Sequence, residues 1–436
     1  MARAKHRGGL RNLFIVGGLI AVLAALVVVV ALFQGPEAPV LLSGEYAALQ
    51  ARRADPANGW VVFNEAASLV GTFAVPFKEG GGPDKAPVIH ADMRCLWGTP
   101  GEINTKWQPI EEKLRAALAA PHVTVPVPCP FIRERRETSE APVIRRTLDT
   151  WMGVAVCLAL EGGEAARGAD MLAAALELER RLECGGLLDI SFRQNAGSPF
   201  ALSNRRYPHA AAFARVARAV REQGASLEPL LQATLPALQG NDRGRLFQAY
   251  CMYLNDSLSQ QALPEGVRME KRVFSGFKSL SFIAEAEAVF EKQAEFEEAL
   301  AGPASEIKKR LDTLIEPADD PHEVLSSRQA LDVAVLECSA LERERLAAAI
   351  AVRLEAFRAA RGAYPETLEA LAPEFVPDAA MLGHPDWRKP TLTASPEGYR
   401  LYDGEVAPVA ANAPARGVVF DIILDTLPPQ APAPPQ

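Results

Sequence analysis

Leu13 to Phe33 reads LFIVGGLIAVLAALVVVVALF, twenty-one consecutive residues without a charge or a strongly polar side chain. Wound as a helix, such a run covers about 30 Å, the thickness of a bilayer's hydrocarbon core. The expectation is therefore a transmembrane helix with everything after Gln34 held at a membrane surface. Arg3, Lys5, Arg7 and Arg11 precede the run with no acid among them, and the first cations after it are Arg52 and Arg53. The positive-inside bias then places the N-terminus in the cytoplasm and the bulk of the chain outside, on a single-pass protein of the inner (cytoplasmic) membrane. A cleaved signal peptide would have an apolar region of about 7 to 15 residues ending at a small-residue site. Here the run is longer and ends in Leu32, Phe33 and Gln34, so an uncleaved signal anchor is the better reading.

The chain has 436 residues, 49% of them hydrophobic and 23% charged, enough for one large or two ordinary folded units beyond the anchor. Its formal charge is −8 even though the basic stub adds four cations. With no long Lys/Arg stripe, that acidity argues against nucleic acid as a partner, because phosphate neutralisation dominates such binding. Six cysteines are scattered without any CxxC or metal-ligand spacing. Export would permit disulfides, and Cys95 and Cys129, both in Pro/Gly-rich stretches, are the pair freest to meet. Cys157, Cys251 and Cys338 sit among apolar residues at helical spacing and read as small buried hydrophobes.

In chain order, residues 1–12 form the basic stub, 13–33 the span and 34–44 a short tether carrying Pro36 and Pro39. A body over 45–320 is expected to be mainly α, an array of antiparallel helical hairpins. Its first helices are expected at Glu45–Arg53 and from Trp60 to about Val70, followed by an irregular excursion at 76–110 punctuated by Gly80, Gly81, Gly82, Pro83, Pro100 and Gly101. A short helix at Glu111–Ala120 stops at Pro121, and the prolines at 126, 128 and 130 favour extended chain after it. Ile144, Leu148, Trp151, Ala155 and Leu158 then make one apolar stripe, ended by Gly162 and Gly163. Ala165, Ala169, Leu172 and Leu176 make the matching stripe of a partner helix, so the two should pack as a hairpin. The small residues from Gly162 to Leu178 have a faint tetratricopeptide character, but no second copy recurs at a 34-residue period. Further helices are marked by Phe213, Val216, Ala217 and Val220, by Leu246 to Leu254, by the acidic segment Phe282–Leu300, and by a long helix from about Pro321 to Arg361 with Leu346, Ile350, Leu354 and Phe357 as its inward seam.

A small α+β module is expected over 321–427, before a Pro-rich tail at 428–436. Within it, Ala363–Leu371 reads as a short helix, and Gly398–Tyr402 and Val418–Leu424 as strands of a small antiparallel sheet against the long helix. The string Arg361-Gly-x-Tyr364-Pro365-x-Thr367-Leu368-Glu369-Ala370-Leu371, then prolines, then Gly398-Tyr399-x-Leu401-Tyr402, resembles the C-terminal half of the major pseudopilin of type II secretion over roughly residues 341–424. That resemblance implies a helix followed by a sheet and a role in a secretion- or pilus-like assembly. The family's Asp-Pro is His384-Pro385 here, and its anchor leads directly into the helix, whereas here some three hundred residues intervene. The whole layout, with its Asn58 to Ala67 segment, is also similar to the uncharacterised single-pass helical envelope proteins of planctomycete and verrucomicrobial type, a resemblance that implies no activity.

No HExxH, GxSxG or Walker pattern occurs. His90, Asp92 and Cys95 are the only cluster that could seat a metal or a nucleophile, and the plainer reading is a surface loop. His122, His209, His322 and His384 each stand beside a proline or at a helix edge and read as turn residues. The acid pairs Glu111-Glu112 and Asp319-Asp320 read as helix-start or solvated positions. No catalytic, cofactor or metal residue is assigned. The expected role is a non-enzymatic scaffold or protein-interaction module with an unidentified protein partner and the bilayer held through 13–33. The alternatives are a secretion-assembly component, and a hydrolase or metal enzyme using the His90 loop.

Overall fold

The computed structural model describes residues 40–73, 98–126, 140–183, 208–239, 242–259, 286–314, 327–404 and 421–426. The expected span at 13–33, the His90 loop, Cys129, His322 and Asp319-Asp320 lie outside them. Among the described residues no helix is long and apolar enough to cross a membrane. The fold is mainly helical with a small sheet. Its helices are α1 (Ser43–Ala54), α2 (Trp60–Thr72), α3 (Pro100–Ala119), α4 (Glu140–Leu160), α5 (Ala165–Arg181), α6 (Pro208–Glu222), α7 (Glu228–Gln239), α8 (Asp242–Ser259), α9 (Gln293–Ala301), α10 (Ala304–Leu314) and α11 (Ser327–Arg361). Residues 286–291 form a further helical segment. Val123–Thr124 (β1) pairs in parallel with Leu182–Glu183 (β2). Pro390–Ser395 (β3), Gly398–Asp403 (β4) and Asp421–Asp425 (β5) make an antiparallel sheet in that order.

Helix α11 organises the packing. At 35 residues it is about 52 Å long, and it serves two hydrophobic cores in turn. Leu331, Val335 and Cys338 belong to a core with Leu41, Tyr250 and Phe296, built from α8, α9, α10 and the segment at 286–291. Further along, Leu346, Ala347, Ala348, Ala349, Ile350, Ala351 and Val352 are all buried in the larger core of α2 to α7 and the C-terminal sheet. A helix buried on every side needs small residues where its neighbours approach, and alanines supply them on α11 and at Ala210, Ala211, Ala212 and Ala214 of α6.

The α4–α5 pair packs as its stripes imply, with Ile144, Leu148, Trp151, Ala169 and Leu172 all fully buried. Gly168 is where the two backbones come closest. A Cβ there would stand 2.5 Å from Ala159 Cβ and 2.6 Å from the Ala155 carbonyl oxygen.

The structure corrects several expectations. The excursion is not irregular to residue 110. Thr99 and Glu102 cap each other's backbone amides in a reciprocal box and Pro100 sits in the first turn, so α3 starts eleven residues earlier than its apolar seam suggests and carries Pro109 inside it. The acidic segment is broken at Lys292 into two helical pieces. Ala363–Leu371 has only a 3-10 turn at Leu368–Leu371. Gly362, at φ +80°, ends α11, and Pro365 holds Tyr364 out of the helical region, so Tyr364 reaches back to donate to Glu355 Oε1 at 2.7 Å. Helices α7 and α10 and strand β3 are additions to the expected elements. Cys157 is not a free hydrophobe but half of a disulfide. Cys251 and Cys338 are free, so its partner lies outside the described residues.

Gly168→Ala should destabilise the protein by about 1–3 kcal/mol, because the overpacking cost exceeds the gain in helix propensity. A urea midpoint unchanged or raised by the substitution would mean that the two helices are not in this close contact.

Candidate functional site

Charged side chains meet where four helices converge. Arg145 and Asp149 lie one turn apart on α4, Glu179 is near the end of α5, His209 is in the first turn of α6, and Glu344 and Arg345 are on α11. Arg145 bonds Asp149 through Nε (3.0 Å) and Nη2 (2.8 Å), and its Nη1 is 3.4 Å from Glu179 Oε1. His209 Nε2 is 3.1 Å from Asp149 Oδ1, and its backbone N–H donates to Glu344 Oε1 at 2.8 Å. That amide would otherwise be one of the unpaired donors at a helix start, and a carboxylate there also suits the helix dipole. Arg345 Nη2 lies 3.5 Å from Glu179 Oε2 and closes the chain of charges.

Apart from Arg345, these side chains are almost wholly shielded from water. Burial opposes the Arg145 charge, but the carboxylates of Asp149, Glu179 and Glu344 outweigh it and hold the guanidinium above its ordinary value. Burial likewise pushes Glu179 up, but Arg345, Arg145 and His209 hold it below the usual carboxylate range.

Glu179 and Arg345 also look outward into a cleft of about 510 Å³. One wall is the end of α5 with β2, the opposite wall is α8, and Cys338 and Leu341 of α11 form the floor. The cleft therefore lies between the two cores. Helix α1 forms its lip and ties both sides. Arg52 grips Glu183 of β2 at 2.7 and 3.1 Å. Arg53 grips the buried Asp256 of α8 at 2.9 and 2.7 Å, and Tyr46 adds a third bond to that carboxylate.

Several residues read as ordinary turn or surface positions are placed differently. His209 is inside the buried cluster. His122 lines the cleft with its Nε2 3.4 Å from Asp55 Oδ2. His384 is half-buried, with Nε2 3.2 Å from Glu342 Oε2. Glu111 is buried and paired with Arg115 and Arg167, whereas Glu112 is exposed. The Ser339 hydroxyl donates to Asp386, not to His384, so these three do not make a nucleophile and base; they staple the His384-Pro385 loop to α11. Among the described residues no group of three His, Cys, Asp or Glu is placed to hold a metal ion. The sequence signal for the cluster is faint but real: Arg145 and Asp149 sit directly beside the stripe of Ile144 and Leu148, where a solvated face would not lie.

No family model, curated protein or solved structure matches this chain.

Removing one member of the cluster strands the others in a dry site. Asp149→Ala should cost about 3–5 kcal/mol in urea unfolding at pH 7. Glu179 stabilises the fold above the unfolded carboxylate value of about 4.3, and that contribution is lost as pH falls through its lower folded value. Glu179→Gln should therefore be less stable at pH 7 and lose stability less steeply below pH ~4. Parallel pH profiles for the two proteins would contradict this.

Proposed function

We propose that this chain is a single-pass, membrane-anchored protein whose helical body lies outside the cytoplasm and serves as a scaffold or protein-interaction module. The uninterrupted apolar run at 13–33 behind a basic stub carries the reading. The Cys157 disulfide supports the compartment, because disulfides persist in oxidising surroundings and are rare in the cytosol. A non-enzymatic role is favoured by how the reactive groups are used. The buried acids and His209 are taken up in polar contacts with one another and with Arg145 and Arg345, and burial, with Glu297 and Glu45 nearby, pushes the Cys251 thiol up to about 12, far from nucleophilic.

A second reading, assembly into a secretion-like machine through the C-terminal module, draws support from the order of its elements: α11 followed by a three-stranded antiparallel sheet. In this chain the Tyr364-Pro365 signature is turned inward, with Tyr364 bonded to Glu355 and 5.1 Å from the Tyr399 ring. That favours a folding role for the signature over a docking one.

Protease added to intact spheroplasts should degrade the large C-terminal portion, carbonate should fail to extract the protein, and non-reducing peptide mapping should recover Cys157 as a half-cystine. A protected C-terminal portion together with a fully reduced Cys157 would overturn the topology.

A further inference from the structure

The cleft between the two cores has a composition that the scaffold reading does not use. Its volume of about 510 Å³ falls in the range of small-molecule sites, and such sites favour the junctions between packing units. Leu49, Leu182, Met252 and Leu341 give it apolar walls and floor. Its charged lining comprises Arg52, Arg180, Arg181 and Arg345 against Glu45, Glu179 and Glu183.

These charges are not equally committed. Glu183 is taken by both nitrogens of Arg52, and Glu179 is shared between Arg345 and Arg145. Arg181, among the described residues, meets no carboxylate: it donates to the carbonyl oxygens of Leu118, Ala120 and Pro121 at the end of α3. Those bonds fix its guanidinium in place. Arg180 pairs at 3.2 Å with Glu177 on its own helix, and about a third of each side chain is exposed. Such surface pairs are weak and exchange readily for a better-placed anion. Glu45 is exposed at the lip.

We infer that the cleft is a binding site for a small organic anion with an apolar body, a carboxylate or a phosphate ester. Arg180 and Arg181 take the charged group, and Leu182, Met252 and Leu341 cover the rest. The inference does not depend on the membrane topology, so the spheroplast experiment and the one below can fail independently.

The test is calorimetric titration of the full chain in phosphatidylcholine nanodiscs, with empty nanodiscs as blank. The probes are 4-phenylbutyrate, phenyl phosphate and the neutral 4-phenylbutanamide. At least one anion should bind one to one, about tenfold or more tighter than the amide, since a charge-assisted hydrogen bond is lost with the charge. Whichever anion binds better identifies the headgroup. Arg180→Gln should weaken anion binding about tenfold, and Gln248→Trp, which fills the cleft from an exposed position on α8, should abolish it while leaving the circular dichroism spectrum and the melting transition unchanged. Absence of binding by both anions, equal binding of anions and amide, or binding indifferent to Gln248→Trp overturns the inference.

Discussion

Burying charge is costly, and this protein does it where four helices meet. The desolvation cost is offset only if each charge in the cluster finds its partners at hydrogen-bond distance. Arg145, Asp149, Glu179, His209, Glu344 and Arg345 satisfy one another across α4, α5, α6 and α11. The arrangement therefore fixes more than stability. A slide of α6 by one residue along α11 would separate His209 from Glu344 and Asp149, whereas the surrounding alanines would tolerate many registers. Apolar small-residue packing brings the helices close, and the charges select one alignment.

The same economy appears at two other junctions. Glu355 of α11 receives Arg221 of α6 at 2.7 Å and the Tyr364 hydroxyl on its other oxygen, docking the C-terminal module. Asp256 of α8 receives Arg53 and Tyr46 of α1. Next to Asp256, Asn255 exchanges two hydrogen bonds with the Leu41 backbone. The segment that follows the apolar run is thus fastened to the body by buried polar groups. Helix α1 touches both walls of the cleft where the two cores meet.

Much of the helical framework is legible from residue order because spacing and punctuation agree. The stripe from Ile144 to Leu158, the Gly162-Gly163 stop and the stripe from Ala165 to Leu176 allow one arrangement, and the structure has it. Elements whose local signals conflict are harder to read. Pro100 and Gly101 look like breakers until Thr99 and Glu102 are recognised as a capping pair. Helix α7 carries Pro236, and β3 is bounded by Pro390 and holds few apolar residues. The charged cluster is harder still. Apart from Arg145 and Asp149, which flank an apolar stripe, its members carry no sequence signal, and only the meeting of four helices, separated by up to two hundred positions, takes them out of water. The cleft has the same origin, since no stretch of sequence records that α1, α5, α8 and α11 will leave a space between them.

If the buried charges set the helix register, α4, α5, α6 and the second half of α11 must open together. Native-state hydrogen exchange measures this directly. The slowest amides of α5, of α6 and of residues 346–356 should share one opening free energy, and Glu179→Gln should lower all of them by the same amount. Faster exchange confined to α5, with α6 and α11 unaffected, would contradict the account.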